Sequence, residues 1–294
     1  MSSTILITGG NGFLARSFLE AFNRDYIVNS LSREKLDLMD SGKVFNYLKK
    51  KQFDVVIHAA TYDAAPIDSL KDPSLVLENN LKMFFNLERC NNYYGKLLYF
   101  GSGAEFSRPH WKSNMNENYF DHYVPKDQYG FSKYIMTKYS MVSDNIFNLR
   151  LFGVHGKYDD WRYRFISNAC CHVAFDMPIS IVQNAVFDFL YIDDLVKIVQ
   201  WFINNEPKQN IYNVCSGKTY DYITLANKII EISTKDLEVI VKREGCRAEY
   251  SGDHSLLLAE LNNFEFTHMN ESLKEVYRWY DSNKNLIDPD KFHY

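Results

Sequence analysis

The feature that most constrains the fold is a glycine-rich turn close to the start of the chain. The short apolar segment Thr4–Thr8 runs into the sequence GGNGFLA at positions 9–15, which leads into a helical pattern at Phe13–Phe22. Glycines at positions 9 and 12 let such a turn close and let its backbone approach a pyrophosphate. The free N–H groups and the dipole at the start of the following helix favour an anion. Strand, turn and helix together predict a dinucleotide-binding site around Gly9 and Gly12; an ordinary tight turn is the alternative.

Alternating strands and helices define the fold class of the first half. Short apolar runs predict strands at Thr4–Thr8, Tyr26–Leu31, Asp54–His58, Lys96–Gly101 and Ile146–Leu151. Helical patterns lie between them, at Phe13–Phe22, Val44–Lys50, Leu75–Cys90 and Tyr129–Met141. This order predicts an α/β fold, in which a parallel sheet carries helices on both faces and binds ligands at the carboxyl ends of its strands.

The second half of the chain is less regular. Its patterns predict helices at Trp161–Phe175, Asp193–Asn204, Tyr222–Ile232 and Glu271–Tyr280, and extended segments at Pro178–Val182 and Ile211–Val214. The sequence contains no internal repeat and no low-complexity linker. We therefore expect two closely packed parts with the substrate site between them.

Composition and charge exclude several classes of protein. The 294 residues are 46% hydrophobic and carry a net charge of −4, which is typical of a folded globular protein and not of a nucleic-acid binder. The apolar run Ile5–Ile7 is too short for a signal peptide, and no later run is long enough to span a membrane. Five cysteines without C-x-x-C spacing and eight histidines without metal-ligand spacing predict neither a disulfide framework nor a metal site. We expect a cytoplasmic protein with reduced thiols.

The end of the second predicted strand bears on the choice of cofactor. An acidic side chain there would bind the ribose 2′-hydroxyl of NAD, but this chain has NSLSR at positions 29–33. Ser32 and Arg33 can hold a 2′-phosphate through hydrogen bonds and a fork of guanidinium donors. This favours NADP(H); NAD(H) is the alternative if Arg33 is only a solvated loop residue.

A tyrosine, a lysine and a serine form the candidate catalytic group. Tyr129 and Lys133 stand four residues apart in a helical pattern, so both side chains project from one face. A phenol with its usual pKa of about 10 is a poor acid or base at neutral pH, and a nearby ammonium lowers that pKa. We expect Tyr129 to exchange a proton with a substrate oxygen while a hydride moves at carbon, with Lys133 also reaching the nicotinamide ribose. Ser102, just past the fourth strand, can hydrogen-bond the same oxygen.

Further motifs relate the chain to a known family. They are Thr8–Leu14, His58–Ala60, Asn80 ahead of Asn86-Leu87, Ser102, Tyr129-x-x-x-Lys133, Leu149–Phe152, Asp188–Asp194 and Tyr212–Val214. With these motifs the chain resembles, over nearly its whole length, the extended short-chain dehydrogenases/reductases of the NAD-dependent epimerase/dehydratase family. Within that family, the stretch Ser32–Asp40 resembles GDP-fucose synthase and related nucleotide-sugar 4-keto reductases.

The resemblance implies an architecture and a set of contacts. It implies a Rossmann domain over 1–155, to which 184–214 returns, a smaller substrate-binding domain over 156–294, and a homodimer built on two of the predicted helices. The implied substrate is a nucleotide-diphosphate sugar. The implied cofactor contacts are Thr8, Phe13, Leu14, Asp40 near the adenine, His58, Ala59, Ala60, Asn80, Tyr129 and Lys133.

Departures from the family pattern refine the expected reaction. GDP-fucose synthase has a cysteine two residues after its catalytic serine, which it uses to epimerise neighbouring carbons; this chain has Ala104 there. We therefore expect simple reduction of a 4-keto-6-deoxy sugar. Phe187 replaces an arginine that often touches the nucleotide phosphates, so Arg162 or Arg164 is the candidate replacement; a charged helix face is the alternative for both. Further candidate sugar contacts are Ala104, Glu105 and Trp161; plain packing is the alternative for Trp161.

Three alternatives to the reductase stay open. A C4 epimerase would hold NAD tightly and let the sugar rotate in the site. A dehydratase is disfavoured because Gly103 follows Ser102, where sugar 4,6-dehydratases have Asp followed by Glu. A non-catalytic dinucleotide sensor would not need Ser102, Tyr129 and Lys133 intact.

Overall fold

The computed structural model describes residues 2–64 and 69–292. Met1 and Tyr294, the outer ends of the two predicted domain ranges, lie outside the described residues. The helices are α1 (Phe13–Phe22), α2 (Ser41–Lys51), α3 (Val76–Glu88), α4 (Gln128–Ser140), α5 (Phe165–Ala174), α6 (Ile192–Asn204), α7 (Tyr222–Ser233), α8 (Ser255–Leu261) and α9 (Met269–Ser282). The strands are β1 (Thr4–Thr8), β2 (Ile27–Leu31), β3 (Phe53–His58), β4 (Tyr94–Ser102), β5 (Ile146–Leu151), β6 (Gly153–His155), β7 (Ile179–Asn184), β8 (Val186–Tyr191), β9 (Ile211–Val214), β10 (Thr219–Asp221) and β11 (Val239–Cys246).

A six-stranded parallel sheet with the order β2-β1-β3-β4-β5-β9 forms the centre of the molecule. It confirms the predicted doubly wound α/β fold, and its strands begin and end within two residues of the predicted bounds. The chain leaves β1 for β2 on one side and then crosses to β3 on the other side. The carboxyl ends of β1 and β3 therefore flank the crevice in which such sheets bind ligands.

The two faces of this sheet are covered by different helices. Successive side chains of a strand point to opposite faces, so Ile5 and Ile7 join one apolar cluster and Leu6 joins another. The first cluster includes Phe18 of α1 and Leu195 of α6. The second includes buried apolar residues of α2, α3 and α4. Burial on both faces explains why the central strands are nearly continuous apolar runs.

A second group of elements packs around another apolar cluster. Helices α5, α7 and α9 enclose this cluster together with β7, which pairs in parallel with β11. A small sheet with the order β10-β8-β6 takes its strands from three separate places in the chain: β6 follows β5, β8 precedes α6, and β10 precedes α7. Between α6 and β10 the chain forms β9, which joins the central sheet. The division near residue 155 and the return of 184–214 stay predictions.

One predicted helix begins later than the sequence indicated. The pattern predicted a helix over Trp161–Phe175, but α5 begins at Phe165. The preceding segment is a turn around Asp160, whose carboxylate accepts the Arg162 backbone N–H (3.2 Å) and whose carbonyl accepts the Arg164 N–H (2.9 Å). These contacts hold the chain in a turn and leave Arg164 as the N-cap residue of the helix.

The five cysteines are all free thiols, four of them buried and Cys246 exposed. In the part of the chain that the structure describes, no helix has the length and apolar character needed to cross a membrane.

Candidate active site

The glycine turn after β1 is pressed against the end of β3. Gly9 has φ +71°, and a Cβ at this position would lie 2.8 Å from the Ala60 Cα, a backbone atom. The turn is also closed by hydrogen bonds from the Gly10 N–H to the Leu31 carbonyl (2.9 Å) and from the Gly12 N–H to the Gly9 carbonyl (2.8 Å). Position 9 therefore requires glycine for both its backbone conformation and its space.

The start of α1 fits the pyrophosphate of a dinucleotide. Gly12 is the N-cap residue and has no side chain to cap the N–H groups of the first turn, which also contains no acidic residue. Phe13 and Leu14 supply the backbone of that turn, and Ala15 is fully buried beneath it. A helix start with uncapped donors and no negative side chain is suited to bind an anion.

The crevice between β1 and β3 is held by a threonine and a histidine. The Thr8 Oγ1 lies 2.9 Å from the His58 Nδ1 and accepts a hydrogen bond from the Ala60 N–H at 3.2 Å. Burial lowers the pKa of His58 to about 3, and the charge of Lys133 contributes. His58 is therefore neutral at physiological pH and is paired with Thr8 within the protein, so its contact with a cofactor stays a prediction.

Asn80 fixes the loop that follows β3. Its buried side chain donates to the carbonyls of Tyr62 and Val76, each at 2.9 Å, and accepts from the Tyr62 N–H at 2.8 Å. These bonds use its amide on the protein itself, so direct contact of Asn80 with a cofactor stays a prediction, as it does for Ala59.

Three residues predicted to contact the adenosine part of the cofactor lie between β2 and the start of α2. Ser32 is half-buried, whereas Arg33 is exposed and its Nε lies 3.4 Å from the Asp37 carboxylate. Asp40 caps α2 by accepting from the Lys43 N–H at 3.0 Å. Arg33 is open to solvent and can turn toward a 2′-phosphate, and its role there, like that of Asp40, stays a prediction.

Ser102, Tyr129 and Lys133 come together at the carboxyl end of β4. Asp127 caps α4 by accepting from the Gly130 N–H at 2.8 Å, which places Tyr129 in the first turn. One turn on, the Lys133 ammonium donates to the Phe100 carbonyl at 2.8 Å and lies 5.6 Å from the centre of the Tyr129 ring. The Tyr129 hydroxyl is close enough to Ser102 to interact with its hydroxyl. The structure thus brings together the three residues chosen from the sequence.

The protonation of this group differs from the sequence expectation. Burial raises the pKa of Tyr129 to about 12, and the Asp63 carboxylate adds to the rise. Burial also lowers the pKa of Lys133 to about 8, against the opposing charges of Glu105 and Asp63. The lowered pKa that the sequence led us to expect is not found in the protein alone, because burial outweighs the nearby positive charges. Tyr129 is protonated at neutral pH and able to donate.

Glu105 holds the backbone of Ser102 in place. Its carboxylate accepts the Ser102 N–H at 3.0 Å, the Thr137 hydroxyl, and an N–H of Arg150 Nη2 at 3.4 Å. The Arg150 Nε lies 3.2 Å from the same carboxylate, which completes an ion pair. The Glu105 and Arg150 side chains are both 0% exposed. The predicted sugar contact of Glu105 does not fit this position, because its oxygens face protein groups and are closed to solvent. Ala104 beside it is also buried.

The remaining substrate candidates lie at the start of α5. Arg162 pairs with Asp160, with 2.8 Å between Nε and Oδ1, whereas Arg164 lies 4.0 Å from the Asp63 carboxylate and within electrostatic reach of Tyr129. Of the two arginines, Arg164 is therefore the one that lies near Tyr129. Trp161 is half-buried and its ring meets Phe292 edge-on, which favours the packing interpretation.

Sequence reasoning missed Asp63, Arg150 and Tyr250. Arg150 had a signal, since it is a charge inside the apolar strand Ile146–Leu151. Asp63 and Tyr250 lie in loops, and only the fold brings them to Tyr129 and Ser102. Among the residues that the structure describes, no cluster of His, Cys, Asp or Glu has the form of a metal site.

Comparison with known proteins decides the family. Residues 5–215 match the model of the NAD dependent epimerase/dehydratase family. The chain belongs to this family. Membership confirms the predictions of an enzyme, an oxidoreductase, with a nicotinamide dinucleotide cofactor, and places the chain among nucleotide-sugar epimerases and reductases.

Individual relatives of this epimerase/dehydratase enzyme differ in their reactions. The ADP-L-glycero-D-manno-heptose-6-epimerase of Brachyspira hyodysenteriae is 24% identical and covers 84% of this chain and 86% of its own. The GDP-6-deoxy-D-talose 4-dehydrogenase of Aggregatibacter actinomycetemcomitans is 25% identical, covering 93% and 97%. A solved structure of the GDP-mannoheptose C4 reductase of Campylobacter jejuni, with NADP bound, has a TM-score of 0.82 at 17% identity, covering 95% and 98%.

We expect Gly9→Ala to weaken NADPH binding by this family member on the order of tenfold, because a side chain at positive φ costs about 1–2 kcal/mol and this one also meets the Ala60 backbone. Titration of cofactor fluorescence measures the affinity. Gly42→Ala is the matched control, since its Cβ would meet only the Asp40 Oδ1 at 3.5 Å. Equal affinities for the two variants would contradict the assignment of this turn.

We expect Arg150→Met to lower the free energy of unfolding by about 3–5 kcal/mol, because it leaves the buried Glu105 carboxylate without its charge partner. Urea unfolding followed by circular dichroism measures the loss. Arg33→Met, at a side chain that is 73% exposed, is the control and should change stability by less than about 0.5 kcal/mol. A loss of similar size in both variants would show that the buried pair has no special importance.

Proposed function

We propose that this enzyme uses NADPH to reduce a nucleotide-linked 4-keto-6-deoxy sugar to the 4-hydroxy sugar. The observation that carries the proposal is the meeting of Ser102, the Tyr129 phenol and the buried Lys133 at the carboxyl end of β4, where burial raises the pKa of the phenol and keeps it protonated. A ketone reductase needs such a donor at the substrate oxygen. Ser32 and the exposed Arg33 at the end of β2 support NADPH over NADH.

Each side chain of the group has a role in this reaction. Bound NADPH supplies the hydride that forms the new C–H bond at C4. Tyr129 gives its hydroxyl proton to the carbonyl oxygen, which becomes the product hydroxyl, and Ser102 hydrogen-bonds that oxygen. The phenolate left on Tyr129 is stabilised by the Lys133 ammonium until a proton returns from solvent.

The surroundings of Ser102 support plain reduction. Epimerisation at a carbon beside the ketone needs a further acid or base to move a proton there. Ala104, the residue two positions after Ser102, has an apolar side chain at 1% exposure and offers no such group. The relative named as a GDP-6-deoxy-D-talose 4-dehydrogenase acts, by its name, at the same sugar carbon.

Epimerisation is the second candidate, because the relative from Brachyspira is named as a heptose epimerase. An epimerase of this kind removes a hydride and returns it to the same sugar, so it consumes no cofactor overall. Arg164, with Asp63 beside it, is the proposed contact for the substrate phosphates in either case.

We also propose a homodimer through α3 and α4, and a cytoplasmic location. The five free thiols support the proposed location.

We expect the protein to oxidise NADPH with at least one member of a panel of nucleotide-linked 4-keto-6-deoxy sugars, measured as the loss of NADPH absorbance. Tyr129→Phe should lower kcat by about 100-fold or more, because it removes the proton donor. Tyr26→Phe is the control, since its hydroxyl bonds Asn204 on the surface. No oxidation with any sugar, together with NAD released on denaturation, would contradict the reductase and favour the epimerase.

A further inference from the structure

Tyr250 reaches the active site from the second half of the chain. Its backbone is fixed on β8, because its N–H donates to the Val186 carbonyl at 2.9 Å and its carbonyl accepts the Asp188 N–H at 3.0 Å. The backbone on both sides of the Tyr250 Cα is therefore held, and this fixes the direction in which the side chain leaves the backbone.

The Tyr250 ring is held among aromatic side chains. Its centre lies 4.1 Å from that of Trp111 and 5.1 Å from those of Phe152 and Phe187. Trp111 also donates its indole N–H to the Gly103 carbonyl at 3.0 Å, next to Ser102. Tyr250 is 4% exposed, so its ring has little freedom to move away from the turn at Ser102 and Gly103, here called the serine turn.

The Tyr250 hydroxyl lies against the serine turn. A Cβ at Gly103 would come within 2.6 Å of this hydroxyl oxygen, so a side chain at position 103 would displace the tyrosine. The hydroxyl therefore lies next to Ser102, close enough to interact with the serine hydroxyl, and it is within electrostatic reach of Tyr129. The glycine after Ser102 is thus explained by the close approach of Tyr250.

The hydrogen-bonding capacity of Ser102 assigns the direction of a hydrogen bond between the two hydroxyls. A serine hydroxyl has one proton and two acceptor positions. The Ala104 N–H occupies one acceptor position at 3.2 Å. Burial raises the pKa of Tyr250, so this phenol keeps its proton and can donate to the second position. The single Ser102 proton is then left to point toward Tyr129 and the substrate oxygen.

We propose that Tyr250 is a positioning residue for the reaction: by donating to Ser102, it directs the serine proton to the oxygen that Tyr129 protonates. The inference rests on the proposed reductase function and adds to it a residue from outside the nucleotide-binding half. It also explains why Gly103, and no larger residue, follows the serine.

The kinetic test compares Tyr250→Phe, Ser102→Ala and the double variant. Phenylalanine keeps the ring among its aromatic neighbours and removes only the hydroxyl. We expect kcat to fall about three- to tenfold in Tyr250→Phe, the effect of one hydrogen bond, with KM changed less than about twofold. The double variant should be no slower than Ser102→Ala, because Tyr250 acts through the serine. Additive losses, or an unchanged kcat in Tyr250→Phe, would overturn the proposal.

Tyr94→Phe is the matched control. Tyr94 lies at the other end of β4, is buried, and bonds the Leu87 carbonyl at 3.2 Å through its hydroxyl. It should leave kcat unchanged. A loss of kcat in this variant equal to that in Tyr250→Phe would mean that loss of any buried tyrosine hydroxyl disturbs the enzyme, and would also overturn the proposal.

A second measurement does not depend on turnover. A fluorinated tyrosine of low intrinsic pKa, placed at position 129, is titrated by fluorine NMR in the protein without substrate. Tyr250→Phe should raise its apparent pKa by about 0.5, because the phenolate loses a steadily directed serine donor, whereas Tyr94→Phe should not. If no keto sugar is reduced but this shift appears, the reductase fails and the positioning role stands. An unchanged pKa would overturn the role.

Discussion

A buried ion pair between Glu105 and Arg150 organises the carboxyl edge of the sheet. Glu105 holds the turn after β4, Arg150 comes from β5, and the Arg150 guanidinium also donates to the Asn213 side chain of β9 at 3.0 Å. Asn213 donates in turn to the carbonyls of Met115 (2.8 Å) and Asp253 (3.1 Å). Three neighbouring strands and two long loops are thus tied into one polar network. A buried pair of this kind is worth little as net stability, so its value here is the fixed geometry that it gives.

The catalytic group depends on that geometry. Glu105 fixes the Ser102 backbone, the cap of Asp127 fixes the start of α4, and the Lys133 ammonium is anchored on the Phe100 carbonyl of the same strand as Ser102. The candidate reacting side chains are then held by bonds made by other residues. On the cofactor side, the close contact between Gly9 and the Ala60 backbone has the same effect, because it leaves room for the turn in one conformation only.

Sequence patterns predicted those parts of the molecule that local interactions determine. The apolar strands, the glycine turn and the spacing of Tyr129 and Lys133 each have a local signature, and family membership confirms the fold and the class of cofactor. The start of α5 was missed because hydrogen bonds around Asp160 override the helical pattern. The role of Glu105 was missed because its partner lies 45 residues away on another strand.

The raised pKa of Tyr129 and the contact made by Tyr250 could not be predicted from the sequence, because both depend on the assembled fold. Burial is the main cause of the raised pKa of Tyr129, and burial is a property of the fold. The second joins residue 250 to the turn at 102–103, and no spacing rule relates positions that far apart in the chain. Sequence therefore predicted the candidate reacting groups, whereas their protonation and the residues that hold them required the structure.

The most direct test of the account is to follow a hydrogen isotope from cofactor to sugar. A reaction with NADPH deuterated at the nicotinamide C4, on the transferred face, should place one deuterium at C4 of the sugar, located by NMR of the product. The same reaction with ordinary NADPH in heavy water should place no carbon-bound deuterium beside C4 beyond that seen without enzyme. Enzyme-dependent solvent deuterium at a neighbouring carbon, or product formed without net loss of NADPH, would contradict simple reduction.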